Sequence, residues 1–371
     1  MAEPLKNQFG TDIPARIAGM IAPVWPAFDH DAFVRDALDG YEALDLMPRG
    51  WKIAHALHRH LPGDYEAAVA VLLDALGPKP EGAEGGGMAP FLYLPHVCFV
   101  AGYGLDHFEA SMHAQYVLTQ RFTAEFSIRP FLERHPEATL ARLATWATDP
   151  SVHVRRLVSE GTRPRLPWAP RLRAFQKDPR PVLALLELLK DDPELYVRRS
   201  VANNLNDIGK DHPAVLADTA RRWLSGATQE RRWLVRHALR SAVKRAEPGA
   251  LAVLGFGARA RVRVDQVRIT PGRAAQGGSV TVAFELTNTD ELPQRVLVDF
   301  RIHFVKASGT ARPKVFKLKT VNLAPQETVT LGKTVSLADL TTRKHYPGTH
   351  AVDAVINGVA QPLGQFELVP G

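Results

Sequence analysis

At 371 residues the chain is too long for one ordinary globular domain and suits two, each large enough to bury its own core. Hydrophobic residues make up 45% and charged residues 23%, which sets aside the disordered, collagen-like and fibrous classes. A single cysteine excludes an intramolecular disulfide and any multi-cysteine zinc site, and the net charge of +7 becomes informative once divided along the chain.

The front is acidic and the rear basic. Residues 1–100 carry 7 basic against 13 acidic side chains, and residues 101–150 carry 4 against 6. Residues 151–250 then carry 20 against 11, and residues 251–371 carry 15 against 9. Of those 20 basic side chains 16 are arginine, whose planar fork pairs with phosphate oxygens two at a time, so a polyanion is the natural partner. Arginine replacing lysine throughout a GC-rich genome is the bland alternative, and placement has to decide. No stretch approaches the roughly 18 apolar residues of a membrane span, and Glu3, Lys6 and Asp12 interrupt the apolar core that a secretory signal needs. The expected setting is therefore the cytoplasm, with no membrane partner.

From about Phe28 to Ala246 apolar residues recur at threes and fours and proline or glycine marks the ends, which predicts helices such as 64–76 and 135–147. In HALHRH, His55, His58 and His60 suggest a metal, but only His55 and His58 share a helix face and no carboxylate nearby completes a set, so neither metal nor cofactor is expected. GPKPEGAEGGG at 77–87 reads as a surface loop; no Gly-Lys-Ser/Thr follows to make it a phosphate loop. Cys98, within HVCFVAGY, reads as a core residue rather than a nucleophile.

Beyond that loop the chain repeats itself. Residues 149–156, DPSVHVRR, match residues 192–199, DPELYVRR, at a shift of 43, and WLVRH from Trp233 echoes both. Each copy follows a partner helix opening near a proline, the signature of HEAT-like pairs that stack into a solenoid. Stacking in register predicts a row formed by Arg155, Arg156, Arg198, Arg199 and Arg236. A solvated outer face is the usual explanation of one such cluster; its return in every copy favours a binding ladder.

Within the second copy, Val197, Val201, Leu205 and Ile208 share one helical stripe and must face the core. Arg199, Asn203 and Asp207 step by four along a nearly opposite stripe, and Asp207 is the candidate carboxylate of a positively charged surface. A solvated aspartate near a helix end is its plain alternative. Trp168 sits in Leu-Pro-Trp-Ala-Pro, where prolines hold the backbone stiff and out of a regular helix. That leaves either a rigid indole presented to a ligand or a tryptophan plugging a core.

After Pro248 the texture changes to alternation, with about seven strands separated by turns such as PGRAAQGG and NTDELP, which predicts an immunoglobulin-like sandwich. Arg259, Arg261 and Arg263 fall on one sheet face, as do Lys317 and Lys319. The expected organisation is mainly α: a HEAT-like domain over residues 1–250 and an all-β sandwich over residues 251–371.

A HEAT-like domain with arginine-rich helices followed by such a sandwich resembles the AlkC branch of alkylation-repair DNA glycosylases, part of the HEAT-like superfamily shared with AlkD. PLKNQFG at 4–10, SEGTRPRLPWAPRL at 159–172 and SVANNLNDIGK at 200–210 carry the resemblance, which covers essentially the whole chain. It implies excision of cationic alkylated bases, chiefly 3-methyladenine and 3-methylcytosine, from double-stranded DNA without a flipped-base pocket. It also implies a site in which Glu125 and Glu160 face the damaged nucleotide, Asp207 and Trp168 act at it, and Arg156 contacts the backbone or the gap beside the lesion. From the residues alone, Glu125 equally suits an ion pair with Arg129 at i+4, and Glu160 a surface bridge to Arg156.

The chemistry asks for little. A base methylated at N3 is cationic and leaves as a neutral molecule, so no general acid is needed. One carboxylate then suffices to stabilise the charge developing at C1′ and to orient a water. No lysine stands out beside Asp207, so hydrolysis by a monomer without strand cleavage is expected, with Arg261 and Arg263 closing the sandwich on the duplex. Two other classes stay open: a HEAT-like DNA binder without chemistry, and a protein-interaction scaffold. Salt dependence separates the scaffold from both DNA-binding readings.

Overall fold

A computed structural model describes residues 5–77, 89–257, 259–340 and 343–371. The sequence-predicted loop at 77–87 lies outside the described residues beyond Gly77. Among the described residues fifteen α-helices precede eight strands. The front helices are α1 (Asp12–Ile21), α2 (His30–Leu38), α3 (Leu46–His60), α4 (Tyr65–Asp74), α5 (Leu94–Tyr103) and α6 (Phe108–Thr119). The repeating part holds α7 (Ile128–Arg134), α8 (Pro136–Trp146), α9 (Val152–Gly161), α10 (Arg173–Lys177), α11 (Arg180–Leu189) and α12 (Leu195–Asp211). Then come α13 (Pro213–Leu224), α14 (Gln229–Lys244) and α15 (Pro248–Val253). The chain forms two compact units, one comprising residues up to Asp211 with Ala227–Ala238, the other His212–Gly226 with Leu239–Gly371.

The repeat has a local physical cause. In both copies the aspartate of Asp-Pro accepts from the backbone N–H two residues on: Asp149 Oδ1 from Ser151 at 2.7 Å and Asp192 Oδ1 from Glu194 at 2.9 Å. The arginine six residues after each aspartate folds back on the same turn. Arg155 donates to the carbonyls of Asp149 and Pro150, and Arg198 to those of Asp192 and Pro193. Val154, Val197 and Val235, at matching positions, are fully buried. The second helix of a pair therefore begins at a stapled turn and carries an early valine inward, and α9 packs on α12.

The front helices are welded to the N-terminal segment by Arg49, which donates to the carbonyls of Lys6, Phe9, Glu42 and Leu44. His55 meets the Tyr103 hydroxyl at 2.7 Å and His58 stacks on the Tyr103 ring, so these imidazoles belong to an aromatic cluster between α3 and α5. Cys98 is buried, and burial pushes its thiol up to about 12. Among the described residues no helix is long and apolar enough to cross a membrane.

His96 on α5 is fully enclosed, and burial pulls its imidazole down to about 4 from 6.5. The unfolded chain thus takes up that proton first, so the stabilising contribution is complete above about pH 6.5 and is lost as pH falls toward 4. The loss amounts to about 3 kcal/mol at 1.36 kcal/mol per unit. Urea unfolding of the wild type and His96→Phe between pH 7 and pH 4.5 is expected to show a shallower pH slope in the variant; equal slopes would contradict the assignment.

The C-terminal residues form a three-stranded sheet, β1 (Val262–Thr270), β3 (Ser279–Asn288) and β6 (Thr328–Ser336), ordered β1-β3-β6. The second sheet runs β2-β8-β7-β4-β5, with β2 (Arg273–Ala275), β4 (Gln294–Val305), β5 (Ala311–Leu323), β7 (Gly348–Ile356) and β8 (Val359–Val369). Alternation holds on β4, where Val296, Val298, Phe300, Ile302 and Phe304 are buried. The extra strand relative to the sequence reading is β2, three residues inside PGRAAQGG that pair in parallel with β8. Its turn-forming neighbours conceal it. Arg261 and Arg263 are exposed while Val262 and Val264 pack inward, as the alternation predicts.

Candidate active site

The helical unit contains a continuous chain of charged side chains at the junction of α9, α12 and the segments before α7 and after α9. It starts at Glu125, whose carboxylate accepts from Thr123 Oγ1 at 2.8 Å and pairs with Arg156 Nη1 at 2.6 Å. Arg156 also lies 3.7 Å from Glu160, one turn along α9, and its guanidinium covers the Tyr196 ring at 5.2 Å. Glu160 accepts from Arg163 Nη1 at 2.7 Å and from Ser200 Oγ of α12 at 2.5 Å. Arg163 then donates through Nε to Asp207 Oδ2 at 2.9 Å, and Lys210 Nζ reaches Asp207 Oδ1 at 2.8 Å. Anion and cation alternate from Glu125 to Lys210.

Burial sets the electrostatics. Desolvation pushes the Glu160 carboxyl up, but Arg156 and Arg163 together with the Ser200 hydroxyl outweigh it and hold the group below the ordinary 4.5. Desolvation likewise opposes the charge on Arg156 and Arg163, and in both the facing carboxylates raise the guanidinium above its ordinary value. Interiors reward such contacts only when every partner is in place.

The loop leaving this network carries Trp168. Its backbone lies in the left-handed region at φ 64°, rare for a bulky residue and costing about 1–3 kcal/mol, so the surroundings must enforce it. The indole is 63% exposed, which removes the core-plug reading. Behind it lies a cavity of about 260 Å³, lined by Trp168 with Trp51, Val97, Cys98, Phe126 and Arg129 among others. Arg129 of α7 donates to the carbonyls of Gly161 at 3.0 Å, Arg163 at 2.8 Å and Pro170 at 2.5 Å.

Residues 263–370 match the family described as uncharacterised protein YhaZ, C-terminal Ig-like domain. The uncharacterized protein YhaZ of Bacillus subtilis (strain 168) is 35% identical over 365 residues, 98% of this chain and 99% of that protein. The structure of Pseudomonas fluorescens alkylpurine DNA glycosylase AlkC, bound to DNA containing an abasic site analog, superimposes with a TM-score of 0.91. It is 38% identical and covers 99% of this chain and 100% of that one. The chain belongs to the AlkC family.

The AlkC architecture, helical repeats followed by an immunoglobulin-like domain, is the fold the sequence predicted. The structure brings Glu125, Arg156, Glu160 and Asp207 into one network, and four expectations need correcting. Asp207 is not on a solvated stripe: it is fully buried, because the polar face of α12 packs against α9, where Asn204 also donates to the Ser159 carbonyl. Glu125 pairs with Arg156 rather than Arg129. The arginine row is split: Arg155 clamps Asp192 as well as its own turn, Arg198 is buried on its turn, and Arg156 is held in the network. Arg199 and Arg236 are exposed and Asn203 is half-buried. A lysine does stand beside Asp207, because Lys210 follows it by three residues on the same helical face. Arg163 was not singled out from the sequence, and Arg129 was weighed there only as an ion-pair partner of Glu125; the signal available for Arg163 was its spacing of three from Glu160 and of 44 from Asp207.

Proposed function

We propose that this AlkC family member is a monofunctional DNA glycosylase. It hydrolyses the N-glycosidic bond of cationic alkylated bases, 3-methyladenine and 3-methylcytosine, in duplex DNA, without a flipped-base pocket and as a monomer. The observation that carries the reading is Asp207, a carboxylate fixed by Arg163 at the end of a network containing two further carboxylates, Glu160 and Glu125. Asp207 stabilises the positive charge that builds at C1′ as the base departs, and orients the water that replaces it. The departing base carries its own positive charge, so the network need supply no proton. Glu125 and Glu160 favour a cationic base nearby, and the open indole of Trp168 adds ring-face attraction of roughly 0.5–2 kcal/mol. Lys210 engages one oxygen of Asp207, and its long stem allows the ammonium to reach a phosphate instead and uncover that oxygen. With its amine engaged by carboxylate or phosphate, Lys210 is not poised to form the imine that strand cleavage requires.

Arg199, Arg236, Arg261 and Arg263 supply the phosphate contacts on this reading. Arg199→Ala and Arg236→Ala are expected each to flatten the salt slope of duplex binding by about one. Arg155→Ala and Arg198→Ala remove turn staples instead, and should lower the melting temperature with the slope unchanged; the reverse pattern would restore the five-arginine ladder.

The function is tested on a labelled duplex containing one 3-methylcytosine. The strand is expected to break after treatment with hot alkali and to stay intact without it. Breakage without alkali would overturn the monofunctional assignment, and an intact strand in both arms would overturn glycosylase action on this base.

A further inference from the structure

We propose that Arg129 is a positioning residue for base excision: from one buried point its guanidinium fixes both the Arg163 that holds Asp207 and the loop that presents Trp168. This rests on the reading of Asp207 and Trp168 given above. Arg129 is 4% exposed, and its bonds go to three carbonyl oxygens, those of Gly161, Arg163 and Pro170. A buried cation without a carboxylate bonded to it is costly, and burial draws this guanidinium down to about 10, still charged at neutral pH. An apolar side chain would fill the position at lower cost but could not join those oxygens.

The three carbonyls come from the places where the site is assembled. Gly161 closes α9, where helix-end carbonyls lack partners along the helix, and a Cβ there would meet Ile128 Cγ2 of α7 at 2.5 Å, so the two helices touch backbone to side chain. Arg163 extends from that end to Asp207 and Glu160. Pro170 lies two residues beyond Trp168, whose left-handed backbone persists only if its flanks are held. One planar fork thus ties the partner of the carboxylate to the loop of the indole. A lysine, a compact point charge, cannot match the fork's spread.

Single-turnover excision and duplex affinity of the wild type, Arg129→Ala and Arg129→Lys decide the matter, with guanidinium chloride added at non-denaturing concentration. Truncation enlarges the cavity that Arg129 already lines, giving guanidinium a place to enter. The alanine variant is expected to lose about 10²-fold in rate at unchanged duplex affinity, the scale of a misplacement of about an ångström. Guanidinium, and not sodium at equal ionic strength, should recover much of that rate while leaving the wild type unaffected, and the lysine variant should stay slow with a wild-type melting temperature. A folded Arg129→Ala with the wild-type rate, or one whose lost rate guanidinium does not restore, overturns the proposal. If the alanine variant does not fold, the lysine variant decides: slow excision supports the role and a wild-type rate ends it. A wild type that releases no base in this assay refutes the glycosylase reading instead, so the two failures are distinguishable.

Discussion

Replacing Asp207 by asparagine is expected to lower single-turnover excision by about 10³-fold while leaving duplex affinity within about twofold. The substitution keeps the shape and removes the negative charge that stabilises the transition state, and loss of one preorganised electrostatic contact of this kind costs about 10²–10³ in rate. The side chain is buried against Arg163 and Lys210, so the neutral amide also leaves two cations facing it. Some loss of stability is therefore expected alongside the loss of rate, and circular dichroism and melting must accompany the kinetics. Asp207→Glu keeps the charge but moves it by a methylene, and should fall between the two. An asparagine variant that folds and excises at the wild-type rate would remove Asp207 from the chemistry.

Glu160→Ala is expected to have the largest effect on stability. It strips the central anion from Arg156 and Arg163 and leaves the Ser200 hydroxyl without its acceptor. Breaking one member of a buried ionic network costs about 3–5 kcal/mol, because the cations that remain are desolvated and uncompensated. The helical unit should melt well below the wild type, and Glu160→Gln, which retains the acceptor oxygen, should recover part of the difference. The pH dependence has the same sign as that of His96, because both groups take up a proton more readily in the unfolded chain. The Glu160 carboxyl is held below its ordinary value, so its contribution is present above about pH 4.5 and is lost as pH falls through the lower native value. A melting temperature equal to the wild type in Glu160→Ala would mean that the network contributes no more than a surface ion pair, under about 1 kcal/mol.

The parts of the fold legible in the sequence were those governed by periodicity. A shift of 43 between Asp149 and Asp192 exposes the repeat, and the same local chemistry, an aspartate bonded to the N–H two residues on and an arginine returning to the turn, acts in both copies. The strands were legible because stretches of alternation run through β4, where Val296, Val298, Phe300, Ile302 and Phe304 face inward, and through the start of β1; β2 was not, because three residues between glycine-rich turns carry no period. At the site, Asp207 stood out by spacing, but its environment did not. A polar stripe on a single helix reads as solvent-facing, whereas in a stacked solenoid the next helix covers it, and Ser200, Asn204 and Asp207 all meet α9 or the turn after it. The same limit concealed the fate of the arginines. Arg155 and Arg156 are adjacent in sequence and alike in side chain, yet one is spent on its own turn and on Asp192 and the other on Glu125 and Glu160, a division set by which segment packs against each side. Arg129 was hidden for a different reason: its partners are carbonyl oxygens more than thirty residues away, and carbonyls leave no trace in side-chain pattern.

The proposed function is removal of cationic alkylated bases from duplex DNA. It is tested most directly by incubating the wild-type protein with randomly methylated duplex and separating any released bases by chromatography. Free 3-methyladenine and 3-methylcytosine are expected in the soluble fraction, formed at a rate that depends on protein concentration, with the phosphodiester backbone intact. Duplex that is bound with a steep salt dependence but yields no free base would contradict it, and would leave a DNA-binding protein on an AlkC scaffold.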